Sequence, residues 1–224
     1  MAIKLYYSPS SQPENKYAVG NTNEQEQCRK IAKKCVEASI RCGFDAKAGL
    51  DGTMYTRVAE SNTWGANAHI PIHSNAFDKK VSGFRGFYYK AGGEGHKLVA
   101  AIKDTVAPIT PGTSDGLSAQ PKLYEVYASN APCAYLELGF HDNKEEAQYI
   151  IDHTDDLAEA IVKGVCKHYG VKYVAPKTEA KNLYRVFNAA GKQTGAYEME
   201  ENAFNEAKKL LAAGGKATIT YGTK

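Results

Sequence analysis

The sequence predicts an α/β fold in which a mostly parallel sheet is flanked by helices, followed by a small C-terminal ββαβ module. The first observation is that strand-like and helix-like segments alternate through the first 170 residues, which is typical of a parallel sheet covered by helices. The second is a shift to a polar, proline-containing stretch, VKYVAPKTEAKN, which indicates a linker. The third is size: 224 residues, 43% of them hydrophobic, suffice for one ordinary domain and a small second one.

Helices in the first part are recognised by apolar residues three or four positions apart, and strands by short apolar runs. In the first helix, Cys28, Ile31 and Cys35 share one face while lysines cover the other, and Gly43 marks its end. The predicted strands, in chain order, are AIKLYY, residues 69–73, FRGFYYK and PCAYLELGF. The predicted helices are residues 24–42, residues 55–67, GHKLVAAIKDTV and residues 143–169.

Three segments are predicted from these patterns: a main domain over residues 1–174, a linker over 175–182 and a C-terminal module over 183–224. In the module, LYRVFNAAGKQTGAYEM is typical of a hairpin and KATITY of a strand. The intervening helix is expected to place Ala203, Phe204, Ala207 and Leu210/Leu211 on one face. Because a module of about 40 residues builds only a small core, we expect it to lean on the main domain or to pair with a second copy as a homodimer.

Charge and composition exclude several classes of protein. The net charge of +3 comes from the residues after position 176 and is too weak a field to indicate nucleic-acid binding. We find no signal-peptide pattern and no apolar run of membrane-spanning length, so we expect synthesis in the cytoplasm and no membrane partner. The five cysteines form no CxxC pair, and we expect them to be reduced core residues.

Glu24 is the first candidate site residue. It lies four positions before Cys28 and seven before Ile31, so it projects from the buried face of its helix. It is either a first-turn carboxylate favoured by the helix dipole, capped by Thr22 or Asn23, or a metal ligand. An inward carboxylate needs a partner, and a metal ion is one.

His73 and Glu137 each lie in or at the end of an apolar strand. Ligands of parallel α/β sheets bind beyond the carboxyl ends of strands, which makes His73 a candidate ligand or, alternatively, a hydrogen-bonded core histidine. His69 points to the same face, but four strand residues place it about 13 Å away, so we expect it to serve packing. Glu137 is the one charged residue in CAYLELGF. It is either a strand-end residue reaching solvent or a general acid or base.

Together these residues resemble a family, the zinc-dependent N-acetylmuramoyl-L-alanine amidases. Its members carry a metal-binding Glu seven residues before an Ile-Ala pair, as Glu24 precedes Ile31-Ala32 here, and a strand end matched by HSNA at 73–76. Their most specific motif, which contains the catalytic Glu, is matched here by Glu137, Gly139, Phe140, Asn143, Glu146 and Ala147. The resemblance covers roughly residues 2–170 and implies one Zn²⁺ per chain, with peptidoglycan as the substrate.

The chain departs from this family at the other metal ligand. Members usually carry a histidine after the first strand, and a clostridial and bacillar variant has it where this chain has Glu14. A carboxylate is an acceptable zinc ligand, so the expected metal set is Glu14, Glu24 and His73. Gln12 or a water at this corner, or poor metal binding, are the alternatives.

The mechanism implied by the resemblance is hydrolysis of the amide between N-acetylmuramate and L-alanine. The metal would polarise the carbonyl and activate water, and Glu137 would take the proton and pass it to the leaving amine. Arg57 and Asn75 are expected to support the site, and His141 either lines the cleft or is a surface loop residue. The resemblance assigns no substrate-binding residue.

A leaderless amidase with a small C-terminal module resembles a phage or prophage endolysin of a clostridial-type Gram-positive host, acting on the cell wall after release. Its tail is loosely similar to sporulation-related peptidoglycan-binding repeats, and Tyr184, Phe187 and Tyr197 either stack on sugars or, for at least two of them, form the module's core. Two other functions compete with this one. One is a non-catalytic cell-wall-binding protein with a degenerate metal site, and the other is a metallopeptidase that cuts elsewhere in the stem peptide.

Overall fold

The computed structural model describes residues 2–177, 183–197 and 199–222. The chain divides into two compact units, Met1–Pro176 and Lys177–Lys224. Among the described helices, none combines the length and apolar character needed to cross a membrane.

A six-stranded sheet forms the centre of the first unit, in the order β2-β1-β3-β6-β4-β5. Every neighbouring pair is parallel except β4 and β6, which confirms the predicted mostly parallel sheet. The strands are β1 Lys4–Pro9, β2 Asp45–Ala48, β3 Ala68–Asn75, β4 Arg85–Tyr88, β5 Gly116–Ala119 and β6 Tyr135–Phe140.

Helices cover both faces of this sheet, as the contacts of alternate residues of β1 show. Tyr7 bonds to Ser39 of α1, whereas Tyr6 bonds to Glu60 of α2. Helix α6 packs against both α1 and α3, and α2 contacts α4. The helices are α1 Glu24–Arg41, α2 Met54–Trp64, α3 Glu94–Val106, α4 Tyr124–Ala128, α5 Lys144–Asp152 and α6 Thr154–Tyr169.

The helix predicted over 143–169 is wrong as a single helix, because the chain breaks at His153. This residue takes φ −117° and ψ 33°, which lies outside the helical range. Helix α6 begins at Thr154, and its first turn contains the acidic residues Asp155 and Asp156. The His153 ring bonds to Asp156. The segment HTDD therefore starts a second helix, which the apolar periodicity does not reveal.

The carboxyl ends of β1 and β3 and the adjoining part of β6 meet at one edge of the sheet. Register pairs His73 with Glu137, and the pairing shifts between His73 and Asn75. The chain after β1 is tied to β3 by the Ser10 amide, which donates to the Ile72 carbonyl at 2.9 Å. This edge is where the candidate residues gather.

The second unit has the predicted ββαβ order. Strands β7 Leu183–Asn188, β8 Gln193–Tyr197 and β9 Ala217–Gly222 form an antiparallel sheet in the order β8-β7-β9, packed by helix α7 Glu200–Ala212.

The core of this unit consists of Val186, Ala203 and Ala207, and Tyr184 and Tyr197 pack against it. The prediction that Phe204 and Leu211 face this core is wrong, since they are 49% and 55% exposed. The buried stripe of α7 runs through Ala203, Ala207 and the partly buried Leu210, and Phe204 and Leu211 each follow a residue of this stripe by one position.

All five cysteines are free and buried, as expected. They lie in the hydrophobic interior of the first unit: Cys28, Cys35, Cys42, Cys133 and Cys166.

Glu146 provides a test of how the end of β6 is held. Its carboxylate is buried and accepts the amides of Gly83 and Phe140, each at 2.8 Å. We expect Glu146→Ala to lower the free energy of unfolding by about 2–4 kcal/mol, because two buried N–H groups lose their acceptors. Urea unfolding measures this. The neighbouring exposed Glu145→Ala is the control, expected within about 0.5 kcal/mol of wild type; equal midpoints for the two variants would contradict the assignment.

Candidate active site

Glu24 is the first residue of α1 and points into the protein, with 1% of its surface exposed. The Asn23 side chain caps the helix by accepting the Glu26 amide, which leaves the Glu24 carboxylate free to face inward. Asn15 donates its side-chain amide to Glu24 Oε2 at 2.6 Å, and the Ser74 amide donates to Oε1 at 3.3 Å. The predicted inward orientation is confirmed.

His73 lies between two carboxylates. Its Nδ1 is 2.8 Å from Glu24 Oε1, and its Nε2 is 3.7 Å from Oε2 of Glu125. The ring stacks on Tyr135 with centroids 4.7 Å apart. Nδ1 is therefore hydrogen-bonded to Glu24, whereas the buried Nε2 has no hydrogen-bond partner among the described residues.

Glu125 is a site residue that the sequence analysis missed. It belongs to the short helix α4 and is 3% exposed. The Ser8 hydroxyl donates to its Oε1, which also lies 3.3 Å from His69 Nε2, and Arg57 Nε donates to Ser8 Oγ at 2.8 Å. The signal was available, because Glu125 interrupts an apolar run in LYEVYA just as Glu137 does in its strand.

His69 is buried and stacks on Tyr6 at 5.5 Å, which agrees with the expected packing role. The prediction was incomplete in one respect. The two histidines contact different oxygens of the same Glu125 carboxylate, so their side chains converge although their backbone positions are far apart.

Glu137 is paired with His73 by strand register, and its Oε2 is buried with no hydrogen-bond partner among the residues the structure describes. Burial raises the pKa of Glu137 to about 8, with the His73 charge opposing and the Glu24 charge adding to the increase. A half-buried carboxylate with one unsatisfied oxygen is costly as a structural element, and a raised pKa is typical of general acids and bases.

The other carboxylates beside His73 are held ionised. Burial opposes this, but hydrogen bonds from His73 and Asn15 lower the pKa of Glu24. Burial likewise opposes ionisation of Glu125, whose pKa is held well below its usual range by His69 and His73. For His73, burial is outweighed by Glu125 and Glu24, which raise its pKa to about 9. The cluster is therefore a protonated, buried His73 ring flanked by the ionised carboxylates of Glu24 and Glu125.

A cavity of about 310 Å³ opens beside His73 and Glu125. Tyr55 and Tyr124 form part of its wall and pack edge to face at 4.5 Å. Tyr55 is 55% exposed, so an aromatic surface is offered to solvent next to the candidate catalytic residues. The other lining residues are Ser11, Gln12, Thr53, Met54, Arg57, Leu123 and Tyr135.

Residues 14–167 match the model of the Amidase_3 family, described as N-acetylmuramoyl-L-alanine amidase. The chain belongs to this family. The fold agrees with solved members: the amidase AmiC2 of Nostoc punctiforme superposes with a TM-score of 0.68 at 20% identity, covering 75% of this chain and 97% of that one. The catalytic domain of the CD27L endolysin, targeting Clostridia difficile, gives 0.62 at 18% identity, covering 74% and 97%.

Two curated relatives are also similar in sequence. The germination-specific N-acetylmuramoyl-L-alanine amidase of Bacillus subtilis (strain 168) is 29% identical over 138 residues, which is 60% of this chain and 57% of the relative. An uncharacterised 38.4 kDa protein of Clostridium perfringens is 26% identical over 165 residues, 68% of this chain and 47% of the relative. The chain therefore spans about half the length of the curated relatives it matches.

Three residues that the family resemblance assigns to the site lie together in this amidase-family chain: Glu24, His73 and Glu137. Glu14 does not join them, because it is exposed in a turn between β1 and α1 and has no hydrogen bond or ion pair within the described part of the chain. Its role as a metal ligand stays a prediction. Gln12, the alternative, lines the cavity that His73 also lines.

The donor chemistry of this family member fits a zinc ion at Glu24 and His73. A carboxylate and an imidazole in contact are zinc ligands, and the unsatisfied Glu137 oxygen lies beside them. Across residues 2–177, 183–197 and 199–222, no three His, Cys, Asp or Glu side chains are already arranged around one ion position. A third ligand must therefore move in or come from another type of donor.

Of the expected supporting residues, Arg57 is buried and bonds to Ser8 and to the Gly52 carbonyl. His141 is a buried residue of the fold and not a surface loop residue. Its Nδ1 donates to the Ser74 carbonyl at 2.9 Å, and its ring stacks on Tyr17. Both therefore hold the strand ends that carry the candidate site.

The raised pKa of Glu137 predicts a stability effect in the metal-free protein. A carboxyl group whose pKa is about 8 when folded and near its usual value when unfolded stabilises the fold at low pH, and this contribution is lost as pH rises toward 8. We expect Glu137→Gln to raise the Tm by several degrees at pH 8.5 and to change it little at pH 4. Calorimetry with a chelator present measures this, with the exposed Glu145→Gln as control. A Tm difference independent of pH would refute the assignment.

Proposed function

We propose that this chain hydrolyses the amide bond between N-acetylmuramate and the first L-alanine of the peptidoglycan stem peptide. Family membership favours this over a wall-binding protein without activity. The observation that carries the proposal is Glu137, a carboxylate with one unpaired buried oxygen and a pKa of about 8, next to Glu24 and His73. Such a group can exchange protons near neutral pH.

In this proposal Glu24 and His73 hold one Zn²⁺ per chain, with Glu14 as the third ligand. When bound, zinc supplies Lewis-acid polarisation of the scissile carbonyl and lowers the pKa of water toward ~7. Glu137 accepts the proton of the attacking water and delivers it to the amine of the departing L-alanine. The water's oxygen ends in the muramate carboxylate, and the stem peptide leaves with a new N-terminus.

The cavity beside His73 is the proposed binding site for the muramyl-peptide substrate. His73, the strand partner of Glu137, lines it, and its size is that of a small-ligand site. The tyrosines on its wall offer flat apolar faces of the kind on which sugar rings stack.

A lytic role is the further part of this proposal: an endolysin of phage or prophage origin that acts on the wall of a clostridial-type Gram-positive host after release. Similarity to the catalytic domain of the CD27L endolysin and to proteins from Clostridium perfringens and Bacillus subtilis supports it. The second unit would bind the cell wall or pair two chains. Because Tyr184 and Tyr197 already pack against its core, Phe187 is the more available aromatic residue for a sugar.

Product analysis on purified Gram-positive cell walls tests the reaction. Wild type should release new N-terminal L-alanine while reducing sugars stay constant, and Glu137→Gln should lower the rate by about 10²–10⁴-fold, since the proton acceptor is lost. Glu145→Gln is the matched control. New N-termini at a later stem-peptide residue would indicate a peptidase instead, and binding to walls without any release would indicate the non-catalytic alternative.

Elemental analysis tests the metal set. We expect about one zinc per wild-type chain and its loss in Glu14→Ala, because removing one of three protein ligands leaves a weak site. Zinc retained in Glu14→Ala but lost in Gln12→Ala would move the third ligand to Gln12. A wild-type protein that takes up no zinc after reconstitution would refute the proposed metal mechanism.

Kinetics test the cavity. Tyr55→Ala should raise KM several-fold for soluble muramyl-peptide fragments and leave kcat nearly unchanged, because a stacking surface contributes to binding and not to proton transfer. Tyr89→Ala is the control, since Tyr89 is 54% exposed and does not line this cavity. Equal KM values for the two variants would exclude the cavity as the binding site.

A further inference from the structure

The buried carboxylate of Glu125 contacts both histidines of β3, yet neither the family motifs nor the proposed reaction uses it. It accepts from Ser8, lies 3.3 Å from His69 Nε2 and lies 3.7 Å from His73 Nε2. Keeping a carboxylate 3% exposed costs free energy unless its charge is compensated. Ser8 and the two imidazoles compensate this charge, so the network holds an ionised acceptor beside His73.

The two carboxylates beside His73 approach different nitrogens of its ring. Glu24 is hydrogen-bonded to Nδ1 at 2.8 Å, whereas Glu125 lies 3.7 Å from Nε2, a buried nitrogen with no hydrogen-bond partner among the described residues. Strand register pairs Glu137 with His73. An ion shared by Glu24 and His73 would bind at Nδ1, with Glu125 behind the ring.

We propose that Glu125 is a positioning residue that accepts the Nε2–H of His73 and thereby presents Nδ1 to the metal ion. This inference rests on the proposed metal site. Histidine ligands of metal ions generally donate their other ring N–H to a carboxylate or carbonyl, which fixes the tautomer and makes the ligand more basic. Glu125 would supply that acceptor from helix α4, outside the motifs that mark the ligands.

The surroundings of Glu125 hold it in place for this role. Arg57 donates to Ser8, and Ser8 donates to the same Oε1 that faces His69. Oε1 therefore already has partners in Ser8 and His69, and Oε2 lies 3.7 Å from His73 Nε2. His69, stacked on Tyr6, closes the arrangement from the other side.

Long-range ¹H–¹⁵N correlation spectra of the zinc-loaded wild-type protein test the tautomer directly. With histidine labelled and the His73 signals identified by their loss in His73→Asn, Nε2 should carry the proton and Nδ1 the metal. Zinc on Nε2 would overturn the proposal and make Glu125 a candidate ligand. A wild-type chain that binds no zinc at all would refute the proposed metal site itself. That result differs from a zinc-loaded chain with the other tautomer, which would refute only the role of Glu125.

Chelator-competition titrations test the energetic consequence. Glu125→Gln should weaken zinc binding by about 10–100-fold while still reaching one zinc per chain at saturation. Glu37→Gln, at an exposed position of α1, should match wild type. Wild-type affinity in Glu125→Gln would overturn the proposal, as would failure to load at saturating zinc in a variant whose circular dichroism is native.

If Glu125→Gln does not fold, Ser8→Ala keeps the proposal falsifiable. This variant leaves the carboxylate in place and removes one of the donors that hold it. We expect a several-fold loss of zinc affinity with the Nε2–H tautomer retained; an unchanged affinity would count against the role of this network.

Discussion

The structure depends on the burial of a single histidine among three carboxylates. His73 contacts Glu24 at one nitrogen and Glu125 at the other, while Glu137 lies beside it in register. One imidazolium can compensate one buried negative charge well, and an uncompensated charge in the interior is strongly unfavourable. The cluster therefore carries more negative charge than it can balance, and the raised pKa of Glu137 is how the metal-free protein relieves the excess.

The fold concentrates this charge because three separate segments end at the same edge of the sheet. Glu24 begins α1, His73 lies near the end of β3, and Glu137 faces it from β6. Parallel strands bring their carboxyl ends together, so residues far apart in sequence meet there. Glu125 lies instead on the short helix α4 between β5 and β6. Only tertiary packing brings it close to the imidazole of His73.

This difference explains what could be predicted from the sequence. Glu24 was predictable because helical spacing fixes which face a residue occupies, and His73 because an apolar strand ends beside it. Glu125 interrupts an apolar run and could have been noticed, but a five-residue helix shows too little periodicity to predict the direction of its side chain. The break at His153 and the outward position of Phe204 were not predicted for a related reason. An apolar pattern looks similar when it is shifted by one residue, whereas side-chain packing in the folded protein differs.

The electrostatics of the cluster also couple proton release to metal uptake. A metal ligand must be a neutral imidazole, yet the pKa of His73 is about 9 in the absence of metal, so binding must displace its proton. A divalent charge beside Glu137 would lower its raised pKa as well and convert it from an acid to a base. Metal affinity should then increase with pH over the range in which both groups lose their protons. The same excess of carboxylates that would destabilise the cluster at high pH would thus favour binding of the proposed cation.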